Sequence, residues 1–275
     1  MEKQRVDVLL VEQGGLFDTR EKAKRAVMAG EVLGDNEERL DKPGVKIPVD
    51  TELHIKGEPM PYVSRGGFKL AKALEVFGIS VADKVVLDIG SSTGGFTDVM
   101  LQNGGAKLSY ALDVGSNQLV WKLRQDPRVV VMEHTNFRYS ELADFTEGGQ
   151  PEFASIDVSF ISLELILPPL RKIIKEDGSV VALIKPQFEA GKANVGKHGI
   201  VRDRAVHEAV IDKILTFAVN NGFSVLNLDF SPIKGGSGNI EFLVHLKATQ
   251  QPEIATTVSI DAVIDAAYND LKSKE

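Results

Sequence analysis

The sequence predicts an α/β protein: a mostly parallel sheet flanked by helices and ending in an antiparallel hairpin, with a small α+β unit in front. Three observations carry this expectation. From Gly67 onward, short β-rich runs alternate with stretches of helical spacing, as strand–helix–strand crossovers require. Near the end, the runs 223–230 and 240–246 are joined by a turn-rich segment without a helix, so they pair antiparallel. Before all this, residues 1–57 have another texture, two short helical stretches followed by short strands.

Length and composition bound the rest. With 275 residues, 43% of them hydrophobic, the chain suffices for one large domain and a small appendage. It has no cysteine, which removes thiol catalysis, cysteine-ligated zinc, iron–sulfur clusters and disulfide scaffolds. The histidines show no metal-ligand spacing, so no metal is expected. No apolar run approaches the ~18–20 residues of a membrane span, and Met1-Glu2-Lys3-Gln4-Arg5 lacks the apolar core of a signal peptide. A soluble cytoplasmic protein without membrane contact is expected. The net charge of −7 argues against coating nucleic acid indiscriminately but permits a local basic patch.

In the first unit, Val8, Leu9 and Val11 suggest a short helix. A second one has Thr19 as its N-cap, Ala23, Ala26 and Val27 as a narrow apolar stripe, and Gly30 as its stop. Its other face carries Arg20, Lys22, Lys24 and Arg25, opposed only by Glu21. Val32-Leu33, Lys46-Ile47 and 53–56 read as short strands, with turns at Gly34-Asp35 and Lys42-Pro43-Gly44. Two close prolines, Pro59 and Pro61, suit neither helix nor central strand. The expected division is therefore 1–57, a linker over 58–63, and 64–275.

In the second unit, strands are expected at 85–87, 108–112, 129–131, 153–156 and 180–184, and helices at 96–102, 117–124, 163–174 and 205–219. A last amphipathic helix, with Ile260, Val263, Ile264, Ala267 and Leu271 at helical spacing, should pack on its own domain.

The segment Asp88 to Phe96 follows a buried-strand pattern and opens a helix. Gly90, Gly94 and Gly95 allow a sharp turn and close approach to a ligand. Ser92 stands where a dinucleotide fingerprint has its middle glycine, so that fingerprint is absent. Asp113 closes the next strand, where a carboxylate accepts from both ribose hydroxyls of an adenosyl group. NAD and S-adenosylmethionine share this geometry; the lack of a second nucleotide-binding half favours S-adenosylmethionine. The expected cofactor residues are Asp88, Gly90, Ser92, Gly94, Gly95, Phe96 and Asp113, with Asn136 touching the adenine.

Asp157 and Lys185 each end an apolar strand and so fall at the carboxyl edge of the sheet, where open α/β folds place their sites. Glu241 lies in the final strand, and Lys69 in the helix that enters the domain. A single strand-end charge is ordinarily a solvated group; four in this arrangement are more specific. An amine beside carboxylates can serve as a proton acceptor that those carboxylates orient.

These residues carry a resemblance. Arg5, Asp7, Leu10, Thr19, Arg20, Ala23, Gly30 and Val32, in that order, resemble the alpha-L RNA-binding motif. Lys69, Asp157, Lys185 and Glu241 resemble the Lys-Asp-Lys-Glu tetrad of the FtsJ-like ribose 2′-O-methyltransferases. With Ser64-Arg65-Gly66-Gly67, Asp126-Pro127-Arg128-Val129, Asp157-Val158-Ser159-Phe160 and Lys185-Pro186-Gln187-Phe188-Glu189 added, the chain resembles the TlyA family of rRNA methyltransferases from Arg5 to about Leu246. The resemblance implies a Rossmann-like methyltransferase sheet, S-adenosyl-L-methionine as cofactor, ribosomal RNA or ribosomal subunits as partner, and methyl transfer to a cytidine 2′-hydroxyl. Lys185 is expected as the base, Asp157 and Glu241 as its orienters and Lys69 as a second cation, with the two lysines able to exchange roles. RNA contacts are expected from Arg5, Arg20, Lys22, Lys24, Arg25 and Arg65. Lys192 and Lys197, in the glycine-spaced basic loop 191–204, are expected either to clamp phosphate or to sit on a plain surface loop.

Some points depart from the family. Met60-Pro61-Tyr62-Val63 stands where the family often has an aromatic-flanked basic tetrapeptide, and the short start before the motif carries the expectation of a narrower choice of rRNA, the large-subunit one. Two alternatives stay open: an amino-methyltransferase gripping its acceptor with Asp157-Val158-Ser159-Phe160, and a non-enzymatic RNA-binding or haemolysin-like protein.

Overall fold

The structure is a computed structural model that describes residues 3–12, 16–34, 38–51, 53–56, 61–235 and 238–272. The chain divides into two units between Pro61 and Tyr62. The turn residue Asp35 and the linker residues Glu58 to Met60 lie outside the described residues.

The first unit comprises β1 (Lys3–Arg5), α1 (Val6–Glu12), α2 (Arg20–Ala29), β2 (Val32–Leu33), β3 (Lys46–Pro48) and β4 (His54–Ile55). β1 pairs antiparallel with β3, and β2 with β4. Thr19 caps α2, its side chain accepting from the Lys22 amide, and Gly30 ends it in the left-handed conformation at φ 71° that glycine adopts without strain. The apolar stripe of α2 meets Val6, Leu9 and Leu10 of α1 in one small core. The inward face of α1 is therefore Val6, Leu9 and Leu10, whereas Val8 and Val11, expected to signal this helix, are only half-buried. β1 was not expected; three residues with two charges carry no strand pattern, and only pairing with β3 makes the strand.

The second unit holds one seven-stranded sheet. Its strands are β5 (Val85–Ile89), β6 (Leu108–Leu112), β7 (Val129–Met132), β8 (Phe153–Ile156), β9 (Ser179–Ile184), β10 (Phe223–Phe230) and β11 (Phe242–Ala248), in the order β10-β11-β9-β8-β5-β6-β7. β5 to β9 are mutually parallel where they pair, and β11 runs antiparallel between β9 and β10. This is the Rossmann-like sheet with a terminal antiparallel hairpin. The helices are α3 (Gly67–Val76), α4 (Gly95–Gln102), α5 (Trp121–Arg124), α6 (Leu167–Ile173), α7 (Pro186–Glu189), α8 (Arg204–Asn220) and α9 (Ile260–Lys272). Two apolar clusters cover the faces of the sheet, one under α6, α8 and α9 and the other under α3 and α4. The end of α9 packs as expected, with Ile264, Ala267 and Leu271 buried in its own unit and Arg204 of α8 bridging Asp261 and Asp265.

Several boundaries differ from expectation. The helix expected over 117–124 is reduced to α5, because Asn117 is left-handed and Val120 extended. The stretch 163–174 breaks into a 3-10 turn at Leu163–Leu165 and then α6, whose first turn holds Pro168 and Pro169, where no amide proton is needed. Glu241 stands one residue before β11 rather than within it. Tyr62 and Val63, expected in the linker, pack into the second unit: the Val63 amide donates to Asp98 Oδ2 at 2.9 Å and Asn103 Nδ2 to the Tyr62 hydroxyl at 2.8 Å.

Candidate active site

Strand direction brings the charged residues together. β8 and β9 are parallel, so Asp157 and Lys185, each directly after its strand, share one edge of the sheet. β11 runs the other way and pairs Phe242 with Ile184, so its beginning meets the end of β9 and sets Glu241 beside Lys185. Lys69 comes to the same edge on the first turn of α3.

The four form one connected group. Lys69 Nζ lies 2.7 Å from Glu241 Oε2 and 3.5 Å from Asp157 Oδ2, and Lys185 Nζ lies 2.5 Å from Asp157 Oδ1. The last contact is an ion pair without a directed hydrogen bond, since Asp157 Oδ1 takes none from the described residues; Lys185 directs one instead to Ser159 Oγ at 3.2 Å. Glu241 is 2% exposed, and both lysine side chains are less than one-tenth exposed. Burial by itself pushes the Lys69 ammonium down, but the carboxylates of Asp157 and Glu241 outweigh it and hold the amine above its ordinary value.

All four line a cavity of about 530 Å³, together with Ser64, Thr93, Phe96, Gln187 and the loop residues His198 and Gly199. A second cavity of about 470 Å³ adjoins it, sharing Gly90, Ser92, Asp157, Ser159 and Phe160, and is lined on its far side by Asp113 and Asn136. The glycine loop thus forms the wall between an acid–base chamber and a chamber floored by the end of β6. Gly90 needs its glycine: φ is 85°, and a Cβ there would stand 2.6 Å from the Asp157 carbonyl oxygen. Ser92 adopts φ 47°, held by its amide donating to Asp113 Oδ2 at 2.8 Å. Asp113 Oδ1 accepts from the Gly115 amide at 2.7 Å, so the carboxylate is held in place and retains further lone pairs toward the cavity.

Of the residues expected around the cofactor, Gly90, Ser92, Gly95, Phe96, Asp113 and Asn136 line these cavities, and Asp88 and Gly94 line neither. Asp88 is fully buried behind the loop, accepting from the Thr97 amide and hydroxyl and from Ser155 Oγ at 2.9, 2.7 and 3.0 Å. Burial, countered by those donors, raises its carboxyl to about 7. Gly94 turns toward Leu119 and Leu123 and serves the turn into α4 through its φ of 99°.

The basic residues fall into three groups. Arg5 and Arg20 both bind the buried carboxylate of Asp7, at 2.9 Å each, and so staple their unit while remaining partly exposed. Lys22 and Lys24 pair with Asp18 and Glu21 on the exposed surface of α2, and Arg25 is exposed beside them. Arg65, Lys192 and Lys197 are exposed in the second unit; Lys192 and Lys197 lie in a loop whose Gly199 walls the larger cavity.

Residues not expected as site residues from the sequence also stand here. Phe160 is 90% exposed at a φ of 63°, borders both cavities and lies 5.0 Å from Phe188. An exposed aromatic after a strand-end aspartate was its available signal. Gln187 lines the acid–base cavity, and Glu189 accepts from Ser162 Oγ and the Leu163 amide at 2.6 and 2.8 Å, tying α7 to the segment after β8.

Among the described residues no group of three or more acidic or histidine side chains is arranged to hold a metal ion, and no helix is long and apolar enough to cross a membrane.

A family model described as FtsJ-like methyltransferase matches residues 62–248. A Bacillus subtilis protein provisionally named rRNA methyltransferase YqxC is 59% identical over 276 residues, covering 99% of this chain and 97% of its own. The 16S/23S rRNA (cytidine-2′-O)-methyltransferase TlyA of Mycobacterium tuberculosis is 39% identical over 260 residues, 94% of this chain and 95% of its own. Among solved structures, a Streptococcus thermophilus protein provisionally named a haemolysin superposes with a TM-score of 0.79 at 61% identity, covering 100% of this chain and 98% of its own.

Proposed function

The chain belongs to the FtsJ-like methyltransferase family, and from that premise we propose that it transfers a methyl group from S-adenosylmethionine to a ribose 2′-hydroxyl of ribosomal RNA, the nucleoside being cytidine as in its TlyA relative. The observation that carries the proposal is the linked group Lys185–Asp157–Lys69–Glu241 beside the glycine loop.

The two adjoining cavities fit the cofactor. Gly90 and Ser92 front both, Thr93, Gly95 and Phe96 front one, and Asp113 offers its carboxylate in the other, where the hydroxyls of an adenosyl ribose find an acceptor. Asn136 stands in the same chamber for the adenine. When bound, S-adenosylmethionine supplies a methyl carbon made electrophilic by its sulfonium.

The residues of the chain then do the proton work. Lys69, held charged between two carboxylates, is the cation of the pair and not the base. Lys185 takes the hydroxyl proton, and Asp157, in contact with both amines, fixes their separation and balances their charge. Glu241, expected from the sequence to orient Lys185, contacts Lys69 instead and keeps it in place from the other side. Displacement at a methyl group needs alignment of the attacking oxygen more than any Lewis acid. Amino-group methylation fits less well, because Asp157 is engaged by the two lysine side chains instead of being presented to an acceptor amine.

Arg20, Lys22, Lys24 and Arg25, with Arg5, form the RNA-binding face of the first unit in this reading, and Arg65, Lys192 and Lys197 add phosphate contacts in the second. Exposed pairs such as Lys22–Asp18 are worth at most about 1 kcal/mol, so phosphate displaces them at little cost. The test is direct: the purified chain, given S-adenosylmethionine labelled in its methyl group, labels rRNA or ribosomal subunits at a cytidine 2′-oxygen. Label on a base nitrogen or no label at all overturns the proposal.

A further inference from the structure

The two oxygens of Glu241 are divided between two donors. Oε2 accepts from Lys69 Nζ at 2.7 Å, and Oε1 accepts from Gln187 Nε2 at 3.3 Å. At 2% exposure the carboxylate has little water to turn to, so the plane it adopts is set by these two bonds. Gln187 is the second residue of α7, two positions after Lys185, and lines the same cavity as the four charged residues.

Its amide has a second end. With Nε2 on a carboxylate, the orientation of the amide is fixed, since the reverse would set carbonyl against carboxylate. Gln187 Oε1 is then a buried acceptor that takes no hydrogen bond from any described residue. Buried acceptors in native proteins are satisfied nearly everywhere, so each exception calls for a partner, and an acceptor on a residue that lines the cavity can find one in a bound reactant.

We propose that Gln187 is a positioning residue of the reaction whose amide N–H locks Glu241 onto Lys69 and whose carbonyl oxygen accepts a hydrogen bond from an N–H or O–H donor of a reactant in the cavity. The inference rests on the methyl-transfer reading and extends it: without this lock Glu241 is free to rotate, Lys69 loses one of its two carboxylates, and the spacing of the amines is no longer held.

The experiment measures methyl transfer to ribosomal subunits by the full chain across pH, for the wild type, Gln187→Leu and Gln187→Glu. Leucine keeps approximate size but neither donates nor accepts, and a roughly tenfold fall in kcat is expected with little change in Tm. In Gln187→Glu the neutral carboxyl donates to Glu241 as the amide does, whereas the ionised form repels it. Its rate therefore falls as pH rises, a limb absent from the wild type, and recovers to within a few-fold of wild type on the acid side.

Two binding measurements locate the donor. Weaker calorimetric affinity of Gln187→Leu for S-adenosylhomocysteine assigns it to the cofactor, and a raised KM for RNA with that affinity unchanged assigns it to the nucleotide. If neither changes, the carbonyl contact is refuted. Wild-type kcat and pH profile in both variants refute the lock; should Gln187→Leu unfold, the profile of Gln187→Glu still decides. A wild type inactive on rRNA in the same assay overturns the methyl-transfer reading instead.

Discussion

Lys69 Nζ and Glu241 Oε2 meet at 2.7 Å across 172 positions of sequence, in a part of the site that excludes nearly all solvent. The pair joins the first helix of the second unit to the residue that leads into its last strand, so this side of the cavity forms only when the two ends of the unit pack together. The two carboxylates hold the Lys69 amine above its ordinary value, which supports the proposal that Lys69 is the cation and Lys185 the base.

Lys185→Ala is therefore expected to abolish methyl transfer while leaving cofactor affinity within a few-fold of wild type. Single-turnover assays paired with calorimetry check this. Retained turnover would remove Lys185 as the base.

Asp113→Ala is expected to act on the other chamber. Two ribose hydroxyls lose their acceptor and the Ser92 and Gly115 amides lose theirs, so cofactor affinity should weaken by about 1–3 kcal/mol. Equal dissociation constants for variant and wild type would exclude the ribose role.

Asp88 gives a pH signature. Its folded pKa, near 7 and above the unfolded value, means that the folded state holds a proton that the unfolded state has released over the window between them. The stabilising contribution is complete below about pH 4 and declines as pH rises toward 7. Asp88→Asn should flatten that slope in denaturant titrations, because the amide oxygen serves Thr97 and its N–H donates to Ser155 Oγ. An unchanged slope would show that Asp88 is not the group responsible.

Asp7 has the opposite sign. Hydrogen bonds from Arg5, against the cost of burial, and then from Arg20 hold its carboxyl below the usual range. Its contribution is present above about pH 4 and disappears as pH falls through the lowered folded value. Asp7→Ala should destabilise the first unit by about 1.5–3 kcal/mol, read as earlier proteolysis or exchange in residues 3–56 with the second unit unaffected.

Charge reversal at Lys22, Lys24 and Arg25 tests the RNA face without disturbing Asp7. Affinity for rRNA should fall and its salt dependence flatten by roughly one unit of slope per lost phosphate contact, with cofactor binding intact. A chain starting at Tyr62, which retains the contacts of Tyr62 and Val63, should bind cofactor yet methylate ribosomal subunits poorly. Full activity of that fragment would refute an orienting role for the first unit.

Much of this was legible in the residues alone, for local reasons. Thr19 and Gly30 bound α2 because capping depends on the nearest turn of backbone. The alternation of strand and helix announced the parallel sheet, and the strand-end positions of Asp157 and Lys185 placed both at one edge because parallel strands share their carboxyl ends. What only the tertiary structure decided is set by contacts between distant segments. Asp88 and Asp113 look alike in sequence, each in or directly after a β-rich run, yet packing turns the first into the core and the second toward a cavity. Arg5 and Arg20 look like surface cations until Asp7 is found buried between them. The partnering of Gln187 with Glu241 depends on the insertion of β11 beside β9, a choice of strand order that no local pattern encodes, because it is made by the burial of the sheet as a whole.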